Sequence, residues 1–571
     1  MILHALCDYY RRKPDLPRLG FEIKAIPFVF ELSPAGHLVQ IEDTRYSEGK
    51  KKFPRNFLVP QGAKKTSGIA ANWLWDSAEY VLGVTKLGRP DRVQEQHAAF
   101  QVKLDELADK TNDAGLNAVL TFLKIRDTSR LEIDPLWSEI LETNAVVTFR
   151  LNGDFELVCQ RPSIRAVLEG AGMETEKIIC AISGEPDGFE RLHASIKGVW
   201  GAQTSGANIV SFNKDAFNSF GKEQGANAPI GKRAAFAYTT ALNYLLSKES
   251  AQRIQIGDAS TIFWSEQHTE FEDTFSDLFN EPPKDDPAKQ TRAIEALFKA
   301  PQTGTYNDDG EKTRFYVLGL APNAARISIR FWQVGTIAEM SVRIRQHFQD
   351  LEIIHAGFEK PHLSLFQLLK SIATQEDSKN IPPNYGGEFM RAILAGLPYP
   401  QTLLQASIRR IRAERKVTYP RAALIKACIN RQTRYSPSQE QEIAVSLDDS
   451  NTNCGYRIGR LFAALEKAQE EAVNPSATIR DRFYGAASSS PVTVFANLMK
   501  LKNHHLAKLD DGRKRYFEKL IGQIMSSIND FPAHLSLADQ GRFAIGYYHQ
   551  RQAFFTKSES TNKSESTNKG E

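Results

Sequence analysis

The sequence has 571 residues, length for about two to four domains, with 41% apolar and 25% charged residues and a formal net charge of +4. That is an ordinary globular balance with apolar mass for several cores. It supplies no global field for nucleic acid, so any such surface must come from local clustering of cations.

Residues 1–12 read as a short helix. "FEIKAIPFVFELS" and "HLVQIED" read as strands joined in a hairpin across Pro34-Ala35-Gly36. "DRVQEQHAAFQVKLDELADK" is helical. "AVVTFRL" and "FELVCQ" flank Asn152-Gly153-Asp154, which predicts a second hairpin. Further strands are expected at "KIICAIS", "ANIVSF", "TIFW", "RFYVLGLAP" and "ARISIRFW". The last two alternate apolar and polar residues as a half-buried sheet does. Strands stop near residue 335, and nine helical segments follow between 336 and 553. The fold class is therefore α+β: a mixed N-terminal region with antiparallel sheet and hairpins, an all-helical C-terminal bundle, and a disordered tail. The expected divisions are 1–360, 361–440, 441–555 and 556–571. Residues 435–453 are polar and aperiodic, as a linker would be. The end, "KSESTNKSESTNKGE", repeats KSESTN and has no apolar side chain to bury.

Five cysteines stand without a C-x-x-C pair, which argues against structural zinc and for a reducing compartment. The opening "MILHALCDYYRRK" is too short in its apolar run for a signal peptide. No run has the length of a membrane span. A cytoplasmic protein is expected.

Two motifs invite an enzymatic reading and fail on spacing, and the histidines and serines supply none. "GANAPIGKR" (225–233) resembles a phosphate loop, but five residues separate Gly225 from Gly231 and Arg233 stands where a hydroxyl is needed. Pro14-Asp15 with Glu22 and Lys24 matches a metal-nuclease pattern, but "LPRLGF" is too short an interval to bring Asp15 in on its own strand. None of the twelve histidines is followed by Asp or Glu, and no G-x-S-x-G elbow occurs. His504-His505 reads as a solvated face. No catalytic residue, metal or cofactor is assigned.

Basic clusters carry more. Arg409, Arg410, Arg412, Arg415, Lys416, Arg421, Lys426, Arg431 and Arg434 fall in one stretch opposed only by Glu414, with Tyr419 and Tyr435 interleaved. Lys50, Lys51, Lys52, Arg55, Lys64 and Lys65 form a second group. Lys500, Lys502, Lys508, Arg513, Lys514, Arg515 and Lys519 form a third, diluted by acids. Such runs fit phosphate contacts, each of which adds a counterion-release contribution; the alternative is a set of solvated helix faces.

The chain as a whole resembles the large subunit of the type I-C CRISPR interference complex (Cascade), a Csd1-like family. The resemblance is carried by "MILHALCDYY", "FLVPQGAKKTSGIAANWLWDSAEYVLG", "IVSFNKDAFNSFGKEQGANAPIGKRAAFAYTTALNYLL", "TIFWSE" and "FYVLGLAPNAARISIRFW". It makes "GANAPIGKR" part of a family signature in a non-hydrolytic subunit. It implies a non-catalytic, RNA-guided role: reading the protospacer-adjacent motif (PAM) on duplex DNA, promoting R-loop formation and recruiting a separate helicase–nuclease. The implied partners are the guide RNA (crRNA), target double-stranded DNA, the backbone and handle-binding subunits, and a small subunit. That small subunit is expected to be the chain's own C-terminal fragment, started at Val445 or Leu447 behind the purine-rich codons of Gln439–Glu442.

Within that role, "KKTSGIAANWLWD" holds suitable readers. Lys64 and Lys65 suit phosphate or a base edge, Thr66 and Ser67 are small donors, Gly68 allows close approach, and Asn72 suits a base edge. Trp73 and Trp75 are expected in the core. Lys50, Lys51, Lys52, Arg409, Arg410, Arg412, Arg415, Lys416, Lys500, Lys502, Arg513 and Arg515 are the expected backbone contacts. The rivals are a metal-dependent nuclease using Asp15, Glu22 and Lys24, and a scaffold binding only RNA and protein.

Overall fold

The computed structural model describes residues 1–49, 51–63, 68–86, 88–125, 128–170, 177–303, 312–436 and 440–567. The fold is α+β and forms two compact units: one of Leu3–Ala194 with Val210–Ala241, the other of Ser195–Ile209 with Leu242–Glu571.

In the first unit, "FEIKAIPFVFELS" is two strands rather than one. Pro27 has no N–H to donate, and the chain breaks there. β1 (Phe21–Ala25) and β2 (Phe28–Leu32) consequently join different sheets. β2 makes the expected hairpin with β3 (Leu38–Asp43), and Gly36 takes its left-handed corner at φ 80°. β4 (Tyr46–Glu48) and β5 (Lys51–Phe53) form a small exposed ribbon. β6 (Asn56–Pro60) pairs antiparallel with β1. With β7 (Trp75–Ser77) and β8 (Val146–Leu151), the main sheet has the order β3-β2-β8-β7. Phe30 and Phe149 sit opposite one another on adjacent strands and meet Phe122 edge-to-face, with ring centroids 6.1 Å apart.

The hairpin expected after Asn152-Gly153-Asp154 does not form. β8 has a parallel partner in β2 on one edge and an antiparallel one in β7 on the other. A returning strand therefore finds no free edge. "FELVCQ" makes a single bridge, Arg150 to Leu157, and then a short 3-10 turn at Val158–Gln160. Of "KIICAIS", only β9 (Lys177–Ile179) is extended, paired with β10 (Pro186–Gly188). "ANIVSF" makes isolated bridges and no strand.

The second unit is built on an antiparallel meander: β11 (Arg253–Ile256), β12 (Ala259–Ser265), β13 (Arg314–Asn323) and β14 (Arg326–Thr336). Phe263, Phe315 and Phe331 turn one face of it into the core. The helices that follow start where the sequence supplies caps. Thr336 and Ser364 each close a capping box, and Asn453 and Asp510 accept amide N–H groups of their first turns. Residues 361–440 and 441–555 share one continuous core with the sheet, from Ile254 to Tyr548.

The helices Cys454–Val473 and Leu537–Thr567 touch through glycine. A β-carbon on Gly459 would lie 2.1 Å from the Phe543 carbonyl oxygen, and one on Gly546 2.0 Å from that of Tyr456. Residues 440–453 are not a free linker. Ile443 is buried with its N–H and C=O both bonded to the Asn430 side chain (2.8 and 2.9 Å), and the Val445 carbonyl accepts the Ile354 N–H (2.8 Å). A polar sequence hides this because the apolar anchor is one residue. Among the described side chains the last packed on the bundle is Phe554; the KSESTN repeat follows it in the sequence. Among the described residues no helix is long and apolar enough to cross a membrane.

Candidate nucleic-acid interface

Alternation along β1 places Glu22 and Lys24 on one side of the strand. Both open onto a cleft of about 560 Å³ that also involves Asn72, Trp75, Asp76 and Arg92. The Lys24 ammonium lies 5.2 Å from the centre of the Trp75 ring, and Trp75 Nε1 donates to the Pro60 carbonyl at 2.8 Å. Trp75 is core, as expected. Trp73 is half-buried beneath the Lys103 ammonium, 4.0 Å away. Arg92 and Gln96 reach the same cleft from the helix Pro90–Ala108. Their i, i+4 spacing was the sequence signal that they share a face.

Asn72 is only 5% exposed. Its Oδ1 accepts the Ala63 N–H at 2.9 Å, and its own N–H donates to Asp76 Oδ2 at 3.0 Å. The amide oxygen expected to face a base is engaged inside the chain, on the Ala63 N–H. Lys64, Lys65, Thr66 and Ser67, like Lys50, lie outside the described residues; Ala63 and Gly68, which flank the four, line the cleft. Asp15 is not among the residues lining it, so only Glu22 and Lys24 of the nuclease pattern share this place. Among the described residues no group of three or more His, Cys, Asp or Glu is placed to hold a metal ion.

The phosphate-loop look-alike has a structural explanation. Asp187 Oδ2 accepts the Arg233 N–H (2.9 Å) in the first turn of the helix Lys232–Leu245. A carboxylate thus stands where a nucleotide phosphate would bind a helix N-terminus. A β-carbon on Gly231 would come within 2.4 Å of that carboxylate, and one on Gly225 within 2.4 Å of the Arg191 carbonyl. Both glycines serve close packing.

The long basic stretch separates into two populations. The helix Gln401–Glu414 turns Leu404, Ile408 and Ile411 inward and leaves Arg409 and Arg412 exposed. Arg415 ends it in the left-handed region at φ 55°, and Lys416 follows, both exposed. Arg410 is half-buried, 3.5 Å from Glu414. These cations crowd the negative end of a helix dipole, a favourable position for them.

The next helix, Tyr419–Tyr435, is buried on every side from Arg421 to Arg431. Its cations are therefore paired inside the protein. Arg421 Nε donates to the Ser371 carbonyl (2.8 Å), and Nη2 meets Glu414 at 2.5 Å and Glu376 at 3.6 Å. Lys426 Nζ donates to the Asp350 carbonyl (3.0 Å), and burial pulls its pKa down. Arg431 pairs with Asp350 at 2.6 Å and lies over the Tyr399 ring, while Arg434 pairs with Asp350 and with Glu442 at 2.6 Å. The stretch has more opposing acids than Glu414. The apolar run "AALIKACI" around Lys426 was the sequence sign of a buried helix.

Elsewhere, Lys51 and Lys52 are exposed on β5, across from Glu48 and Ser47. Arg55 is exposed 4.0 Å from Glu42. Lys500 and Arg515 are exposed and Lys502 is half-buried. His504 is exposed and His505 half-buried at the end of the helix Val492–Leu506. Arg513 is taken up by the fold: Nε and Nη2 donate to Glu471 (2.8 and 2.7 Å), and hydrogen bonding to that carboxylate raises its pKa further.

The sequence model of a family described as CRISPR-associated protein (Cas_Csd1) matches residues 6–555. The chain belongs to the Csd1 family of CRISPR-associated proteins. The match includes the cleft, the Asp187-capped helix and the exposed Arg409–Lys416 group, and runs to Phe555. No curated protein matches the chain.

Proposed function

We propose that this Csd1-family chain is the non-catalytic large subunit of a type I-C Cascade, working in the cytoplasm. It reads the PAM on duplex DNA, promotes R-loop formation, and recruits a separate helicase–nuclease. It does so beside guide RNA, the backbone and handle-binding subunits, and a small subunit. The observation that carries this reading is the exposed group Arg409, Arg412, Arg415 and Lys416 in a chain of CRISPR-associated kind.

The physics requires two kinds of contact. Exchanging a DNA duplex for an RNA–DNA heteroduplex is nearly balanced in free energy, so protein contacts decide its direction. Exposed cations attract any sequence by releasing counterions. Discrimination needs groups at base edges. Lys64, Lys65, Thr66 and Ser67, which follow Ala63 in the sequence, supply the second kind; Arg409, Arg412, Arg415, Lys416, Lys500 and Arg515 supply the first. The test is binding of target DNA by the assembled, guide-loaded complex across a salt series, with and without the PAM. Charge reversal at Arg409 and Arg412 weakens binding to both targets alike if the reading holds. An unchanged affinity and salt slope would remove this surface from the DNA path.

A further inference from the structure

The first unit sends out a ribbon that buries none of its own side chains. β4 and β5 pair Tyr46 with Phe53, Ser47 with Lys52 and Glu48 with Lys51, and all six residues are exposed. Gly49, left-handed at φ 62°, sits at the tip. Among the described residues, the backbone of β4 and β5 is hydrogen-bonded within the ribbon alone, so both outer edges are open. Two strands with no third strand and no apolar face against a core are marginal in water. Open edges of this kind invite pairing with another chain.

The base of the ribbon is fixed. Ile26 holds both legs: its carbonyl accepts the Thr44 hydroxyl at 2.5 Å, and its N–H donates to the Arg55 carbonyl at 3.0 Å. Arg45 pairs with Asp43 at 2.7 Å and with Glu139. Beyond these legs the ribbon takes nothing from the core, since neither Tyr46 nor Phe53 packs on it.

Alternation puts Tyr46, Glu48, Lys51 and Phe53 on one face, and Ser47 and Lys52 on the other. The two rings lie against each other with centroids 6.2 Å apart and remain 54% and 38% exposed. A ring pair ordered in advance lowers the entropic cost of a later contact. Beside the rings, Glu48 faces Lys51 across the ribbon, so this face carries no net charge. On the other face, Lys52 lies near Asp43 and Glu139, whose carboxyls are held low first by hydrogen bonding to Arg45 and then by Lys52.

These charges select the partner. A phosphate backbone would meet Glu48 wherever it met Lys51, and it gains little from cations that already have acids beside them. A protein interface gathers aromatic rings at its centre and keeps charges of both signs at the rim. We propose that the β4–β5 ribbon is a docking arm for a neighbouring protein subunit. The surface it fits has an apolar recess for Tyr46 and Phe53, flanked by a cation for Glu48 and an anion for Lys51. On this reading Lys51 and Lys52 meet protein rather than phosphate. The inference rests on the complex proposed above for the presence of neighbours.

The test uses the guide-loaded complex reconstituted from purified subunits. With Tyr46→p-benzoylphenylalanine, illumination crosslinks the chain to a different protein subunit. Tyr46→Ser with Phe53→Ser keeps the melting temperature of the chain, because neither ring is in the core. It weakens binding to the remaining subunits about ten-fold or more, the scale of a lost hot spot. Glu48→Lys with Lys51→Glu keeps the net charge of the ribbon, mismatches the partner, and weakens assembly as well. Unchanged assembly by either double variant overturns the docking arm and leaves DNA reading intact. So does a crosslink to guide RNA, to DNA or to a second copy of this chain, or the lack of any crosslink to another subunit. A wild-type chain that does not assemble with the guide-loaded subunits overturns membership of the complex, and the arm with it.

Discussion

Asn72 Oδ1 accepts the backbone N–H of Ala63 at 2.9 Å and so ties together two residues that stand on either side of Lys64, Lys65, Thr66 and Ser67 in the sequence. Under the proposed DNA-reading role, a buried amide in this position acts by positioning its neighbours and not at a base edge. The expected variants separate the two possible roles of its side chain. Asn72→Ala removes the tie to Ala63 and blunts PAM discrimination by about 1–3 kcal/mol, the scale of one base-edge hydrogen-bond pair. Asn72→Asp keeps the acceptor for Ala63 and retains most of the discrimination. Affinities for targets with and without the PAM measure this; a failing Asp variant would mean that the Nδ2 donor, not the clamp, is what matters.

The two populations of cations behave differently on mutation. Arg409→Glu with Arg412→Glu lowers the melting temperature slightly, through the lost helix-dipole interaction of about 0.3–1 kcal/mol per charge, and weakens DNA binding irrespective of sequence. The slope of log K against log salt falls by about 0.9 for each phosphate the surface no longer neutralises. Arg431→Ala, in the same stretch of sequence, strands part of the buried Asp350 charge and costs about 3 kcal/mol of stability. Thermal melting and a salt titration of each variant distinguish these outcomes.

Acid should loosen the second unit. His549 is fully buried with Nδ1 2.9 Å from the Tyr456 hydroxyl, and burial, aided by Lys426 and Arg460, pushes its pKa down to about 3. Burial pulls His347 down as well. The unfolded chain takes up these protons near the ordinary histidine pKa of about 6.5, and the folded chain does not. Stability is therefore fully present above about 6.5 and falls with pH below it, by about 1.4 kcal/mol per unit for each such histidine. Denaturant midpoints between pH 7 and 4.5 should fall less steeply for His549→Gln than for wild type.

The C-terminal helices are expected to appear also as a separate product beginning at Val445 or Leu447. Such a fragment keeps the glycine-mediated contact of its two long helices and lacks Ile443, which the full chain pins to Asn430. It bares Gly541, which in the full chain packs on Ile425 and Ile429, leaving a face for a neighbouring subunit. Recoding Gln439–Leu447 synonymously, with the C-terminus tagged, removes the short product. Its persistence would move the start site, and its absence from the native gene would confine these helices to the full chain.

Many elements were legible from periodicity, and the structure shows that Thr336, Ser364 and Asn453 also mark helix starts locally. What failed was non-local. No sequence pattern says that β2 and β7 already occupy both edges of β8, so the Asn152-Gly153-Asp154 turn promised a strand that had no edge to join. The same holds for the charges: Arg431 and Arg412 look alike until burial of the Tyr419–Tyr435 helix separates them.

The central claim is that this chain reads DNA for the complex without cutting it. The direct measurement reconstitutes the guide-loaded complex with and without the chain, in Mg²⁺, on targets with and without the PAM. The account predicts PAM-dependent strand opening only when the chain is present, and uncut DNA until the helicase–nuclease is added. Equal discrimination without the chain, or cleavage by the chain that Glu22→Ala abolishes, would contradict it.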